Sequence, residues 1–173
     1  TLTGMWQFLG LNPIIPGNRL IAPIPQEETP KMQEGTITNL YIARVKGSPV
    51  DPVQEATAIS AQGLEGDRSC VVGNARQVLV MDEETLNKFD LVPGQIKENI
   101  TTVGLDLSEA KRGMVFFVGD EVTMEIVGDC EPCHQMDEIR QGLKDELRGQ
   151  RGMLAMVISG GAIKVGDKIR VEP

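Results

Sequence analysis

The chain of 173 residues has little positive charge, few aromatic residues and no long apolar run. It contains 17 Lys and Arg against 25 Asp and Glu, which gives a formal net charge of −8. Because nucleic-acid binding needs a basic surface, this balance argues against a nucleic-acid partner. No apolar stretch approaches the roughly 20 residues that a membrane-spanning helix requires, so we expect no membrane partner.

Cysteine and histidine are also scarce, with three cysteines and one histidine in the whole chain. An odd number of cysteines cannot pair completely, which favours a reducing compartment, and we therefore expect a cytoplasmic protein. With a single histidine, the sequence has no H-E-x-x-H motif and no recognisable Ser-His-Asp triad. It also has no Walker or Rossmann glycine pattern. Ordinary hydrolases and nucleotide-dependent enzymes are therefore disfavoured.

Residues 1–34 differ in composition from the rest of the chain. They lack a sustained hydrophobic period and are interrupted by Pro13, Pro16, Pro23, Pro25 and Pro30. Proline has no backbone donor and disfavours helix at the preceding residue, so we predict a proline-rich N-terminal tail over residues 1–34. One folded domain is predicted over residues 35–173.

Short stretches rich in β-branched residues recur through this domain and predict strands. They cover residues 36–45, 55–61, 76–81, 98–103, 114–118, 122–127, 153–158 and 169–171. Helices are predicted after Asp82, a potential N-cap, and over residues 135–148. Many short strands with few helices indicate a mainly β fold with peripheral helices, arranged as a closed or partly closed β-barrel.

The sequence Cys130-Glu131-Pro132-Cys133-His134 is the most distinctive local motif. A thiol just before a helix ionises more readily and becomes a nucleophile or a soft-metal ligand, and Cys133 is better placed for this than Cys130. The two cysteines could instead form a dithiol redox centre, or part of a zinc site with Cys70 and His134. Buried cysteines that act only as small hydrophobic residues are the simplest alternative.

Several basic residues stand beside turn residues in this acidic chain. Arg68 follows Asp67, Arg76 precedes a predicted strand, and Arg151 precedes a glycine. Arginine offers planar, paired donors for phosphate, and glycine lets backbone N–H groups approach an anion. Arg68 and Arg76 could equally be a turn residue and a strand-end residue on the solvated surface.

Taken in chain order, the motifs resemble the MOSC family, which is named after the C-terminal domain of molybdenum cofactor sulfurases. The resemblance spans residues 35–171. The matching segments are Gly63-Leu64-Glu65-Gly66-Asp67-Arg68, Arg76-Gln77-Val78, Glu98-Asn99-Ile100-Thr101-Thr102-Val103-Gly104, Cys130-Glu131-Pro132-Cys133, Arg151-Gly152 and Gly166-Asp167.

The resemblance implies a MOSC-type β-barrel with one reactive cysteine, matched here by Cys133. In relatives this residue ligates molybdenum of the pyranopterin cofactor or carries sulfur as a persulfide. The positions that match cofactor-binding residues are Asp67, Arg68, Arg76, Asn99 and Arg151. The expected cofactor is therefore molybdenum-pyranopterin, held permanently or transiently. Pyridoxal phosphate is not expected, because the matching motifs include none of the desulfurase domain that binds it.

Two activities follow from this resemblance. The protein would reduce N-oxygenated compounds with electrons from a partner, or carry sulfur received from a cysteine desulfurase or a cofactor-biosynthesis protein. Glu98 departs from the reductases, which tend to have a basic residue there, and it would repel a phosphate unless its side chain points away. The alternatives are a non-catalytic cofactor-binding or regulatory module and a dithiol redox protein that uses Cys130 and Cys133.

Overall fold

The computed structural model describes residues 33–173, so residues 1–32 of the tail predicted over residues 1–34 lie outside them. The last two residues of that tail, Gln33 and Glu34, belong to the first strand. The strands are β1 (Gln33–Ile42), β2 (Asp51–Val53), β3 (Glu55–Ile59), β4 (Gly63–Leu64), β5 (Val78–Asp82), β6 (Ile100–Val103), β7 (Val115–Val118), β8 (Val122–Asp129), β9 (Met153–Ser159), β10 (Gly161–Lys164) and β11 (Lys168–Glu172). The helices are α1 (Glu83–Lys88), α2 (Gln135–Ile139) and α3 (Leu143–Glu146), with a 3₁₀ turn at Leu107–Glu109. No helix in this part of the chain has the length and apolarity to span a membrane.

Seven strands close into a barrel in the order β1-β11-β7-β8-β9-β5-β6 and back to β1. Strand β1 closes it, because its first residues pair with β11 and its later residues with β6, across an irregularity between Ile37 and Asn39. Only the β5–β6 pair is parallel within this described barrel. Strands β10, β3 and β4 form a separate small sheet. The prediction of a mainly β, closed barrel is confirmed.

The barrel interior is filled with apolar side chains. Alternate residues of β8 are buried, as expected for strands with one face toward a core. The largest side chains inside include Phe116, Met124, Ile126, Ile37 and Ile100. The interior is therefore a packed core, and a ligand site must lie elsewhere on the domain.

A second cluster of buried residues fixes the helices against the outside of the barrel. It joins Met81 of β5 and Leu86 of α1 to Met136 of α2 and Leu143 of α3. The segment between β8 and α2, which contains the two-cysteine motif, is therefore anchored at both ends.

The structure confirms the predicted helix after Asp82, whose carboxylate caps it by accepting a hydrogen bond from the Thr85 N–H at 2.7 Å. The predicted continuous helix over residues 135–148 is wrong. It is broken into α2 and α3, because Arg140 is extended and Gly142 adopts a left-handed conformation with φ of 87°. Strands β2, β4 and β10 lie where turns or no strands were predicted. Strands β2 and β4 are only three and two residues long, and β10 pairs with β3, about 100 positions away in the chain.

Gly152 allows the chain to enter β9 close to β5. It has a φ of 79°, and an added Cβ would clash with the Val80 carbonyl oxygen. We expect Gly152→Ala to lower the free energy of unfolding by more than about 2 kcal/mol, measured by urea denaturation. Gly149→Ala is the matched control, since Gly149 has a φ of 71° but open space around its Cβ position. Equal losses in the two variants would contradict the clash.

Candidate functional site

A cleft of about 210 Å³ lies on the outer face of the barrel. Its floor includes Leu79 of β5 and Leu154 of β9, whose neighbours in sequence Val78, Val80 and Ala155 point into the barrel core. All six residues proposed from sequence line this cleft: Asp67, Arg68, Arg76, Asn99, Cys133 and Arg151. Lys97, Cys130 and Gln135 line it as well. Residues far apart in the chain are thus brought to one place.

Asp67 is the structural centre of the cleft wall. Its carboxylate accepts four hydrogen bonds, from the Ala43 N–H (2.7 Å), the Asn99 side-chain amide (2.8 Å), and the N–H (2.8 Å) and hydroxyl (2.6 Å) of Ser69. A carboxylate has about four acceptor positions, so this group has none left for a ligand. The side chain of Asp67 positions the surrounding loops.

Asn99 is similarly occupied by the protein itself. Its side-chain oxygen accepts from the Leu79 N–H at 3.0 Å, and its amide donates to the Tyr41 carbonyl (3.2 Å) and to Asp67. Both amide hydrogens are therefore used within the fold. The residue ties the start of β6 to β1 and β5 at the base of the cleft.

Arg151 is buried and holds the two-cysteine motif in place. One terminal nitrogen donates to the Cys130 sulfur at 3.1 Å and to the Glu131 carbonyl at 3.2 Å, and the other donates to the Ile96 carbonyl at 3.1 Å. The Cys130 N–H donates to the Gly152 carbonyl at 3.0 Å. The two terminal guanidinium nitrogens thus link the segment before β9 to the two-cysteine motif and to the turn at Ile96. The third nitrogen, Nε, has no hydrogen-bond partner in the described residues.

The two cysteines of the motif differ in environment. Cys130 is 2% exposed, and burial raises the pKa of its thiol, an effect that the nearby Arg151 and Arg76 guanidinium groups oppose. Cys133 is partly exposed, lines the cleft and has its sulfur 3.8 Å from the Gln135 side-chain oxygen. Both thiols are free. The sulfur that an incoming ligand can reach is that of Cys133.

Three further cations surround the cleft at its solvent side. Arg68 and Arg76 are exposed and flank the loop between β4 and β5. Lys97 is half-buried and comes from the turn before β6. In a chain with net charge −8, this grouping makes the cleft a local basic site suited to an anion.

Glu98 does not line the cleft. It is fully buried, and its carboxylate accepts hydrogen bonds from the Gly94 N–H and the Thr101 hydroxyl. Burial raises its pKa, and these hydrogen bonds and Arg151 oppose that effect. The acidic side chain therefore points away from the cleft, and the adjacent Lys97 supplies the basic group there.

The zinc alternative has no site in residues 33–173, where no three Asp, Glu, His or Cys side chains cluster to hold a metal. Cys70 lies outside the cleft, and burial raises the pKa of its thiol. His134 is exposed and lies 3.8 Å from the Glu138 carboxylate. Neither residue joins the two cysteines of the cleft.

The sequence that forms this cleft matches a known protein family. The model of the MOSC domain matches residues 67–170, more than half of the chain. The chain belongs to the MOSC domain family. This family is associated with binding of the molybdenum cofactor. No curated protein matches the sequence.

Solved structures share the fold of this MOSC protein. The YuaD protein from Bacillus subtilis has a TM-score of 0.71 at 20% identity, covering 82% of this chain and 97% of that one. YiiM from Escherichia coli has a TM-score of 0.62 at 19% identity, covering 81% and 70%. YiiM from Geobacillus stearothermophilus has a TM-score of 0.60 at 17% identity, covering 82% and 75%. At these identities the likeness establishes the fold alone.

Two features of the cleft are not evident from the sequence: the presence of Lys97 and the contact of Cys130 with Arg151. A lysine at a turn carries no local signal of a site, and only the structure shows that Lys97 lines the cleft. The contact between Arg151 and Cys130 joins residues 21 positions apart, so no spacing rule indicates it.

The four hydrogen bonds to Asp67 give the first test of the site. In Asp67→Asn, an amide would replace one acceptor oxygen and face N–H donors, so we expect a loss of about 1–3 kcal/mol in the free energy of unfolding. Urea denaturation measures it, with Asp120→Asn on the exposed hairpin as the control, expected within about 0.5 kcal/mol of the wild type. A loss no larger than that of the control would contradict the structural role of Asp67.

The burial of Glu98 predicts a pH-dependent stability. Folding raises the pKa of Glu98 above its ordinary value of 4.5. Between pH 4.5 and the pKa of the folded state, the folded protein therefore binds more protons than the unfolded protein. The stability of the wild type relative to Glu98→Gln should therefore fall as the pH rises from 4.5 through the folded pKa, and then level off. Urea denaturation across that range measures the difference, and a pH-independent difference would contradict it.

Proposed function

We propose that this MOSC protein binds the molybdenum cofactor, or supplies it with sulfur, through Cys133. The observation that carries the proposal is the cleft itself, where a reachable sulfur stands among four cationic side chains of an acidic protein. These cations are Arg68, Arg76, Lys97 and Arg151. The family's association with this cofactor supports the same interpretation.

The donor set fits such a cofactor in chemical terms. Thiolate is a soft ligand that suits a sulfur-bound metal, and arginine provides paired donors for a phosphate group. The cleft of about 210 Å³ is smaller than the roughly 300–1,000 Å³ of pockets that enclose drug-sized ligands, so a ligand of cofactor size would be enclosed only in part. Cys133 and the four cations would hold it, while Asp67 and Asn99 keep their loops in position.

The two roles proposed for Cys133 make different use of the same sulfur. When bound, the cofactor supplies a metal for two-electron reduction of N-oxygenated compounds, with electrons from a partner protein. As a carrier, the Cys133 thiolate attacks the outer sulfur of a persulfide on a cysteine desulfurase, and the donor thiolate leaves. Both roles need a reachable thiol, which favours Cys133 over the buried Cys130. The cytoplasmic location expected from the cysteine count stays a prediction.

A paired substitution tests the assignment of Cys133. We expect the full chain, made anaerobically in a host that produces the cofactor, to contain near-stoichiometric molybdenum or tungsten, or one extra sulfur atom on Cys133. Cys133→Ser should lose either signal, because serine is a hard ligand and carries no sulfane sulfur. Cys130→Ser is the matched control and should retain it, since a hydroxyl can still accept from Arg151. Elemental and intact-protein mass spectrometry measure both.

The remaining outcomes separate the alternatives. Metal that survives Cys133→Ser would contradict the proposal and favour a non-catalytic cofactor-binding module. A reversible disulfide between Cys130 and Cys133, with equal sensitivity to loss of either, would favour a dithiol redox protein. Wild-type protein with neither metal nor extra sulfur would overturn both proposed roles.

A further inference from the structure

The side chain of Gln135 is the polar group that contacts the reachable sulfur of the cleft. The Cys133 thiol donates to the Gln135 side-chain oxygen at 3.8 Å, and no other group in residues 33–173 forms a hydrogen bond with that sulfur. Arg76 and Arg151 donate to the buried Cys130 sulfur instead, at 3.8 and 3.1 Å. The thiol that a ligand can reach is therefore hydrogen-bonded to a neutral amide rather than to a cation.

This contact is not a consequence of regular helix geometry. Cys133 and Gln135 are two positions apart, and side chains at that spacing do not face each other on a helix. The turn before α2 brings them together, since the Met136 N–H donates to the Cys133 carbonyl and the Asp137 N–H to the His134 carbonyl, each at 3.0 Å. Met136 is fully buried in the cluster that packs the helices against the barrel, so this turn is anchored.

The Gln135 side chain can respond to the protonation state of the sulfur. It is half-buried, lines the cleft and forms no other hydrogen bond with the described residues. An amide carries an acceptor oxygen and a donor nitrogen on one carbon, and rotation about its terminal bond exchanges them. The oxygen can accept from a neutral thiol, and the nitrogen can donate to a thiolate. Lysine and arginine only donate and an ionised carboxylate only accepts, so glutamine suits both states of the sulfur.

We propose that Gln135 is a further residue of the reactive centre, which accepts from the Cys133 thiol at rest and donates to its thiolate after the proton has left to solvent. This inference rests on the proposed function, because both roles of Cys133 use the thiolate. A hydrogen bond donated to the charged form stabilises that form. The Gln135 amide thereby increases the fraction of Cys133 that is ready to bind a metal or to attack a donor persulfide.

Other charged groups surround the same sulfur and must be kept constant in any test. The cleft is lined by charged side chains from the loop between β4 and β5, the turn before β6, the two-cysteine motif and the segment before β9, namely Asp67, Arg68, Arg76, Lys97, Glu131 and Arg151. Cys130 is the neighbouring thiol, and burial raises its pKa. His134 is exposed beside Glu138 and does not line the cleft. A substitution at position 135 alone leaves all of these groups in place.

The rate at which Cys133 is alkylated at different pH values tests the proposal. The full-length chain is treated with iodoacetamide, and tandem mass spectrometry locates the label on Cys133. Gln135→Met keeps the length of the side chain but removes the donor, so the rate at pH 7 should fall about 3- to 10-fold and the half-maximal pH should rise. The limiting rate at high pH should stay the same or rise, because a less stabilised thiolate is a stronger nucleophile.

A second variant and a matched pair of controls sharpen this test. In Gln135→Glu the rate at pH 7 should fall further, by about 10-fold or more, because a carboxylate has no donor and repels the thiolate. Gln141 is exposed, lies between α2 and α3 and does not line the cleft. Gln141→Met and Gln141→Glu should therefore leave the pH profile of Cys133 unchanged at physiological ionic strength.

Three results would overturn the role of Gln135. A rate that changes by the same factor at every pH in Gln135→Met would show that the side chain only shapes the cleft. An unchanged rate, or a faster one at pH 7, would show that the amide does not donate to the thiolate. Equal shifts in the Gln141 variants would assign the effect to the general charge and polarity of this region.

Failure of this inference is distinguishable from failure of the proposed function, because iodoacetamide reports on the sulfur without any metal or sulfur donor. Wild-type protein that holds metal or extra sulfur, together with an unchanged alkylation profile in Gln135→Met, would refute only the role of Gln135. A shifted profile in that variant, with a wild type that holds neither metal nor sulfur, would refute only the proposed function.

Discussion

The Asp67 carboxylate is the interaction on which the arrangement of the cleft depends. It joins Ala43, just after β1, to Ser69 in the loop after β4 and to Asn99, just before β6. A buried carboxylate is costly unless its acceptor positions are filled, and here all are filled by the protein. The cost of burying the charge is thereby offset, and three loops are fixed around one point. The cationic side chains that line the cleft are then held near each other on these loops.

The two cysteines of the motif differ in their contacts and in their access to solvent. Cys130 is buried against Arg151, and that contact secures the segment between β8 and α2. Cys133 lies three residues later, with its sulfur toward the cleft. Burial makes ionisation of the first thiol harder, whereas partial exposure leaves the second open to a ligand or a donor protein. A single substitution in either therefore tests a different property, one structural and one chemical.

Much of the fold was predictable because its signals are local. The cap at Asp82 and the alternating burial of β8 can both be read from a few neighbouring residues. Closure of the barrel by β1 and β11 joins residues more than 130 positions apart. The number of short strands indicated a closed or partly closed barrel, but no local signal shows which two strands close it. The hydrophobic spacing over residues 135–148 fits one long helix as well as two short ones, and Gly142 decided between them. The six candidate residues were named together from the resemblance, but the sequence did not show that Asp67 and Asn99 use their side chains to hold the loops.

The location of the cleft on the outer face of a filled barrel affects how fast a ligand can exchange. Barrel strands open only with much of the global unfolding free energy, so a ligand held inside would exchange slowly. A ligand on the outside is bounded by loops on one side and by Leu79 and Leu154 on the other, and it need not wait for any strand to part. Under the proposed function, loading and release of a ligand are thus kinetically separate from unfolding of the barrel.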